Sequence, residues 1–157
     1  MKIIYQTPTR LVVRDGSVFW RYDDIFDKAT GQFTHRFHSI IRESNEMYPL
    51  NSIKTIRLVS FFPLEDSRLT GNSFKLFLCF IDGSILPLSV WVEQGVANRI
   101  KLVTPERFNM FGSTIAQFLG VPLENTLSTR QERVVMLGRR IIRADELGPD
   151  TIKIFQK

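Results

Sequence analysis

The stretch SFKLFLCFIDGSILPLSV, residues 73–90, decides how the rest of the chain is read. In an extended strand successive side chains face opposite ways, so Phe74, Leu76, Leu78 and Phe80 form one apolar set and Phe77, Cys79 and Ile81 a second. One apolar face is enough to seat a strand on a core. The second, joined by Phe61 or Phe62 from the preceding strand-like run, is expected to form an apolar interaction patch that needs a cover. Three covers suit it: the chain's own C-terminal segment, a second copy of the protein, or a different partner. Within the same stretch Asp82-Gly83 predicts a tight hairpin turn, and Pro87, which has no N–H to donate to a ladder, predicts an edge strand or a bulge.

Working outward, KIIYQTPTRLVVR (2–14) reads as an extended lead-in and a strand, with Pro8 excluding a helix, and Asp15-Gly16 supplies a turn. SVFWRY (17–22) is aromatic and β-prone, Lys28-Ala29-Thr30-Gly31 reverses the chain between strand-like flanks, and Arg42 to Glu46 is a polar interval. YPLNSIKTIRLVSFF (48–62) gives a further strand, and residues 63–72 a polar loop. A helix is predicted over 105–119: Thr104 caps it, Pro105 suits its first position, and Gly120 and Pro122 end it. Phe108, Phe111, Ile115, Phe118 and Leu119 share one of its faces. After Ser128 and Thr129 a second, basic amphipathic helix is predicted, with Val134, Leu137, Ile141 and Ile142 on one side and Arg133, Arg140 and Arg143 on another, although Gly138 weakens it and the Val and Ile content suits a strand nearly as well.

The totals narrow the class. With 157 residues, 43% apolar and 24% charged, the chain fits one soluble globular domain. The lone Cys79 excludes an internal disulfide and reads as a buried, inert thiol in a reducing, cytoplasmic setting. No export segment is expected, and no apolar run approaches the roughly 20 residues of a membrane-spanning helix. Most of the net charge of +5 sits in Ser128–Arg143, where Arg130, Arg133, Arg139, Arg140 and Arg143 stand against Glu132 alone.

Catalytic chemistry finds little support. His35 and His38, three apart in a strand, face opposite sides of a sheet and cannot jointly hold a metal. Asp23 and Asp24 lie beside Arg21, and Glu65 and Asp66 sit in a polar loop beside Arg68. Nucleophile elbow, phosphate loop, dinucleotide fingerprint and zinc pattern are all missing from the sequence. We therefore expect no enzyme, no catalytic residue, no cofactor and no metal.

Hairpin-linked strands closed by one amphipathic helix predict a mostly β fold. The expected form is a small antiparallel barrel or bent sandwich of six to seven strands, with the helix on an open end. The order FDKATGQ, YPLNSIKTIRL, FKLFLCFIDGSILPL and a helix ending FLGVPLE, spread over Phe26 to Leu123, resembles an uncharacterised bacterial, cyanobacterial-type family with pleckstrin-homology-like domains. Many relatives of that pattern place two membrane-spanning helices before the DKATG-type hairpin; here Gly16 to Ile25 is too short to cross a bilayer. The resemblance implies a scaffold that recognises lipids, peptides or proteins. It divides the chain into a pleckstrin-homology-like unit over 1–123 and a basic extension over 124–157.

The function expected from these readings is a non-enzymatic interaction module that helps to assemble or tether a protein complex, including at a membrane surface. Protein partners or a second copy would cover Phe77, Cys79, Ile81, Phe61 and Phe62. Anionic lipid would meet the arginine segment instead in one alternative reading, and a small ligand or substrate would occupy the barrel interior in another. Nucleic acid fits poorly, because the basic segment is short and lacks a reading motif.

Overall fold

A computed structural model of the chain describes residues 1–61, 73–88, 92–93, 105–128 and 139–148. Five consecutive strands, β1 (Lys2–Gln6), β2 (Arg10–Gly16), β3 (Trp20–Asp27), β4 (Gln32–Ser39) and β5 (Glu43–Pro49), form an antiparallel meander in chain order. A second sheet follows the order β10-β6-β7-β8, from β6 (Ile53–Phe61), β7 (Ser73–Phe80), β8 (Ile85–Pro87) and β10 (Leu123–Ser128), with β9 (Val92–Glu93) also paired to β7. The fold is mostly β, and of the two expected forms it is the sandwich. Among the described residues no strand is shared between the sheets, so no barrel closes, and the strands number ten rather than six or seven.

Leu11, Phe26 and Phe33 stand in one cross-strand row of the first sheet and point at Ile56, Leu58, Leu76, Leu78 and Leu86 of the second. The helix α1 spans Pro105–Leu119, as its stop and start signals predict. It lays Phe108, Phe111, Ile115 and Phe118 on the same core, while the Lys28 ammonium caps the Phe118 ring from 4.7 Å. Burying side chains of this size contributes about 1.5–3 kcal/mol each, so the common core is the main source of stability.

Several expectations change. All of the polar interval at 42–46 but Arg42 is part of β5, an edge strand whose side chains mostly face water; polar composition did not prevent pairing, because an edge strand asks for no buried face. The predicted boundary at 123 falls at the start of β10, which pairs with β6 along its whole length. Residues 124–128 therefore belong to the sheet. This pairing is parallel, so the second sheet is mixed: α1 carries the chain back over β6, and Thr55 and Ile56 then bind the Pro122 carbonyl at 2.9 and 3.0 Å. The described part of the expected C-terminal helix, from Arg139 onward, is not helical. It forms a bridge between Ile142 and Ile85 and a single 3-10 turn at Ala144–Glu146. The remainder, including Arg130 and Arg133, lies outside the described residues.

Pro87 closes the short edge strand β8, as its missing N–H requires. Asp82-Gly83 does turn the chain, within a four-residue loop rather than a two-residue one, and Gly83 adopts φ +84°. The tightest glycine is Gly16, at φ +113°, where an added Cβ would sit 2.5 Å from the Trp20 carbonyl oxygen and 2.8 Å from the Arg21 Cα. Both obstacles are backbone and cannot rotate away. Gly16→Ala is therefore expected to lower stability by about 1–3 kcal/mol, read as a shift of the urea midpoint, whereas Gly31→Ala, with open space around its Cβ, should lose less.

Candidate functional site

The patch expected on FKLFLCFI is taken apart by burial. Phe77 and Cys79 are buried within the single chain, as are Thr55, Arg57, Val59, Lys75 and Ile85 along the same face. The second apolar face is thus covered internally, and Phe77 and Cys79 offer no free docking surface. The Arg139–Gly148 segment contributes to closing the sheet, with Ile142 exchanging both backbone hydrogen bonds with Ile85 at 2.9 Å. Ile81 is the exception: it falls in the loop after β7, is 69% exposed, and overlooks a hollow shared with Tyr48, Phe80 and Ile141. Phe61 ends β6, and Phe62 lies outside the described residues. The Cys79 thiol, pushed up to about 12 by burial, is inert as expected.

The arginine segment divides as well. Arg140 and Arg143 are exposed, and Arg140 donates to Glu146 at 2.6 Å. Arg139 is buried, which corrects its place in a basic surface segment. Its guanidinium enters the inner face of the first sheet, where the apolar row of Leu11, Phe26 and Phe33 gives way to Val13, Asp24 and His35 and then to Asp15, Tyr22 and Phe37. There it pairs with Asp24, approaches Asp15 at 3.6 Å, donates from Nε to the Pro87 carbonyl at 3.2 Å, and lies 4.6 Å over the Tyr22 ring. His35 completes the cluster, its Nδ1 2.6 Å from Asp24 and its Nε2 3.2 Å from the Arg139 carbonyl. The N-terminal ammonium closes on Asp15 at 2.7 Å.

An aspartate, a histidine and an arginine so close together have the makings of acid–base chemistry, but the geometry argues for structure. Asp24, His35 and Arg139 are all buried, and most of their polar atoms meet one another or backbone; Arg139 Nη1 makes no hydrogen bond among the described residues and lies 3.6 Å from Asp15. The two histidines do face opposite ways: His38 lies on the outer face, 3.9 Å from Glu43. No group of three metal-ligating side chains is found among the described residues. Asp23, beside Asp24 in sequence, points outward and receives Arg14 at 2.6 and 2.9 Å, which holds the Arg14 guanidinium above its ordinary pKa. Glu65, Asp66 and Arg68 lie outside the described residues.

What composition did not reveal is the end of the first sheet where β2 joins β3 and β4 joins β5. Each connection is a tight turn opened by a serine. Ser17 N–H bonds the Trp20 carbonyl at 2.7 Å and Ser39 N–H the Arg42 carbonyl at 2.8 Å; the serine hydroxyls accept from Phe19 N–H at 3.3 Å and Arg42 N–H at 3.0 Å. The central positions hold Val18 and Phe19 in one turn and Ile40 and Ile41 in the other, exposed to 90%, 68%, 77% and 95%. Trp20 stands behind them, partly exposed. Because β3 and β4 are neighbours, the two turns sit about 10 Å apart on one end of the sheet. The signal lay in SVFW and SIIR, where large apolar residues occupy positions that turns ordinarily give to Gly, Asn or Asp.

Removing Arg139 would strand a buried carboxylate, so Arg139→Ala is expected to cost about 3–5 kcal/mol in urea unfolding, while Arg140→Ala should leave the midpoint almost unmoved. A pH signature comes from Lys75, whose pKa is lowered to about 8 chiefly by burial, with Arg139 adding to the effect and Asp15 opposing it. Below pH 8 both folded and unfolded chains carry this proton; from pH 8 to about 10.5 the unfolded chain alone retains it, so this group adds stability as pH rises. The stability advantage of Lys75→Met over the natural chain should accordingly be greatest below pH 8 and shrink toward pH 10.5 in paired denaturation curves.

Set beside known proteins, the chain matches no family model, and no curated protein matches it in sequence. Among the described residues no helix is long and apolar enough to cross a membrane. The functional reading is therefore built on the geometry of the sheet end.

Proposed function

We propose that the protein is a non-catalytic interaction module, a pleckstrin-homology-like sandwich that docks through the apolar end of its first sheet. The observation that supports the reading is the exposure of Val18, Phe19, Ile40 and Ile41 on two adjoining turns. Exposing four large apolar side chains brings no folding benefit, and a cluster of them at one end is the usual mark of an interaction site. The reading keeps the tethering role expected from the sequence but moves its surface from Phe77 and Cys79 to the turns. Of the arginine segment in the lipid alternative, Arg139 is committed to Asp24, Arg140 and Arg143 are exposed, and Arg130 and Arg133 lie outside the described residues. A ligand carrier has less in its favour, because the space between the sheets is filled by Leu11, Phe26, Phe33, Leu76, Leu78 and their neighbours.

The reading is tested by introducing a photoreactive side chain at Phe19 and, as a control, at Thr30, which lies in the exposed turn at the opposite end of the same sheet. Irradiation of cells expressing the full chain should give discrete adducts from position 19 and none from position 30. Equal labelling of both positions, or none at either, overturns the assignment of this end.

A further inference from the structure

The two ends of the first sheet carry different chemistry. At one end the turns are built from Thr7-Pro8-Thr9-Arg10 and Lys28-Ala29-Thr30-Gly31, with the Asp27 carboxylate accepting from Ala29 and Thr30 N–H at 2.9 and 3.2 Å and Gly31 at φ +67°. These are residues that turns select for their own stability. At the other end the turns are held by serine hydroxyls and backbone alone, and their central residues project as Val-Phe and Ile-Ile. β-branched residues gain nothing from a turn apex, so the fold does not account for them.

Resting on the docking role proposed above, we infer that the partner of this end is an anionic lipid bilayer, into whose headgroup and upper acyl region Val18, Phe19, Ile40 and Ile41 insert. Shape is the first argument. The four side chains stand on two separate convex turns, with most of each side chain free. A folded protein partner would need a fitted pocket for each turn, whereas a fluid bilayer admits both without complementarity. The aromatic next in line is the second. Trp20 follows the apex of its turn directly and is partly exposed, at the depth where an amphipathic indole meets the headgroups once the apex is in the acyl region.

Charge is the third argument. In both turns a cation follows the apolar residues, Arg21 after Trp20 and Arg42 after Ile41. The outer-face rows nearest this end add Lys2, Arg14 and Arg36, so five cations stand against two carboxylates, Asp23 and Glu43. The inner Asp15 faces the buried Arg139 guanidinium at 3.6 Å. His38 shares the outermost row with Arg21 and Glu43. Insertion combined with a basic rim is the two-part anchoring that holds a protein reversibly at a membrane surface, and its electrostatic part is weakened by salt.

The test uses the full chain and vesicles of phosphatidylcholine, alone or mixed equally with phosphatidylserine. Cys79 is the chain's one cysteine and is buried, so Ile41→Cys and Thr30→Cys can each be labelled selectively with a polarity-sensitive fluorophore. The label at position 41 should shift to the blue on the mixed vesicles, more weakly on phosphatidylcholine alone and less at high salt; the label at position 30 should not shift. In co-sedimentation, Phe19→Ser with Ile41→Ser should weaken binding at least about tenfold. Arg21→Gln with Arg42→Gln should remove about a fivefold factor per charge on the mixed vesicles only. All four positions are exposed or partly so, and the variants should retain the natural unfolding midpoint. Absence of binding to either vesicle, equal shifts at both labels, or serine variants that bind undiminished would overturn the inference. Protein adducts from position 19 without vesicle binding would leave the docking role standing and assign it to a protein partner instead of lipid.

Discussion

The burial of Arg139 against Asp24 is the constraint around which the sandwich is organised. Taking a guanidinium and a carboxylate out of water costs several kcal/mol per ion unless the pair is close and its remaining hydrogen-bonding groups are met. Here His35 Nδ1 lies 2.6 Å from Asp24 and its Nε2 3.2 Å from the Arg139 carbonyl, and Arg139 Nε donates to the Pro87 carbonyl, while Arg139 Nη1 makes no hydrogen bond among the described residues and faces Asp15 at 3.6 Å. Asp24 and His35 belong to the first sheet and Pro87 to the second, while Arg139 comes from the last described segment of the chain. One side chain thus clamps three parts of the fold that are distant in sequence. It also explains why the inner face of the first sheet is not apolar throughout: beside Val13 the same row holds Asp24 and His35, because a charge has to be received there.

Features whose cause is local were legible in the sequence. The helix came through to its ends, because Pro105, Gly120 and the spacing of its phenylalanines act within a few residues of one another. Pro87 at an edge and Gly31 in a turn were legible for the same reason. Features set by distant pairing were not. β5 carries no buried face of its own, so it looked like a loop until β4 was there to pair with it. The parallel partnership of β10 with β6 joins strands more than sixty residues apart, and nothing in LENTLS announces a direction.

The candidate site was misplaced for a related reason. Alternation in FKLFLCFI correctly exposed a second apolar face, but it could not say that the same chain buries Phe77 and Cys79. Counting arginines between Ser128 and Arg143 likewise described a charge excess without revealing that Arg139 had a carboxylate waiting more than a hundred residues upstream. The apolar turns were present in the sequence as SVFWRY and as Ile40-Ile41. SVFWRY was read as strand and Ile40-Ile41 was not singled out, because aromatic and β-branched residues favour strands and their misfit appears only when the turn geometry is known.

The clamp and the apolar end are physically continuous. Arg139 lies on Tyr22, Tyr22 meets Trp20 edge-on at 6.2 Å and Phe37 at 4.9 Å, and Trp20 supports the turn that carries Val18 and Phe19. Asp15, 3.6 Å from Arg139 Nη1, directly precedes Gly16, whose backbone admits no side chain at the base of that turn. The exposed residues therefore rise from a base of partly buried aromatic rings. A turn held this way has little conformational freedom to lose on docking, and that saving goes directly into affinity. Such economy suits a surface with only four apolar side chains to offer, and it ties the position of Val18 and Phe19 to an ion pair formed by a residue more than a hundred positions away.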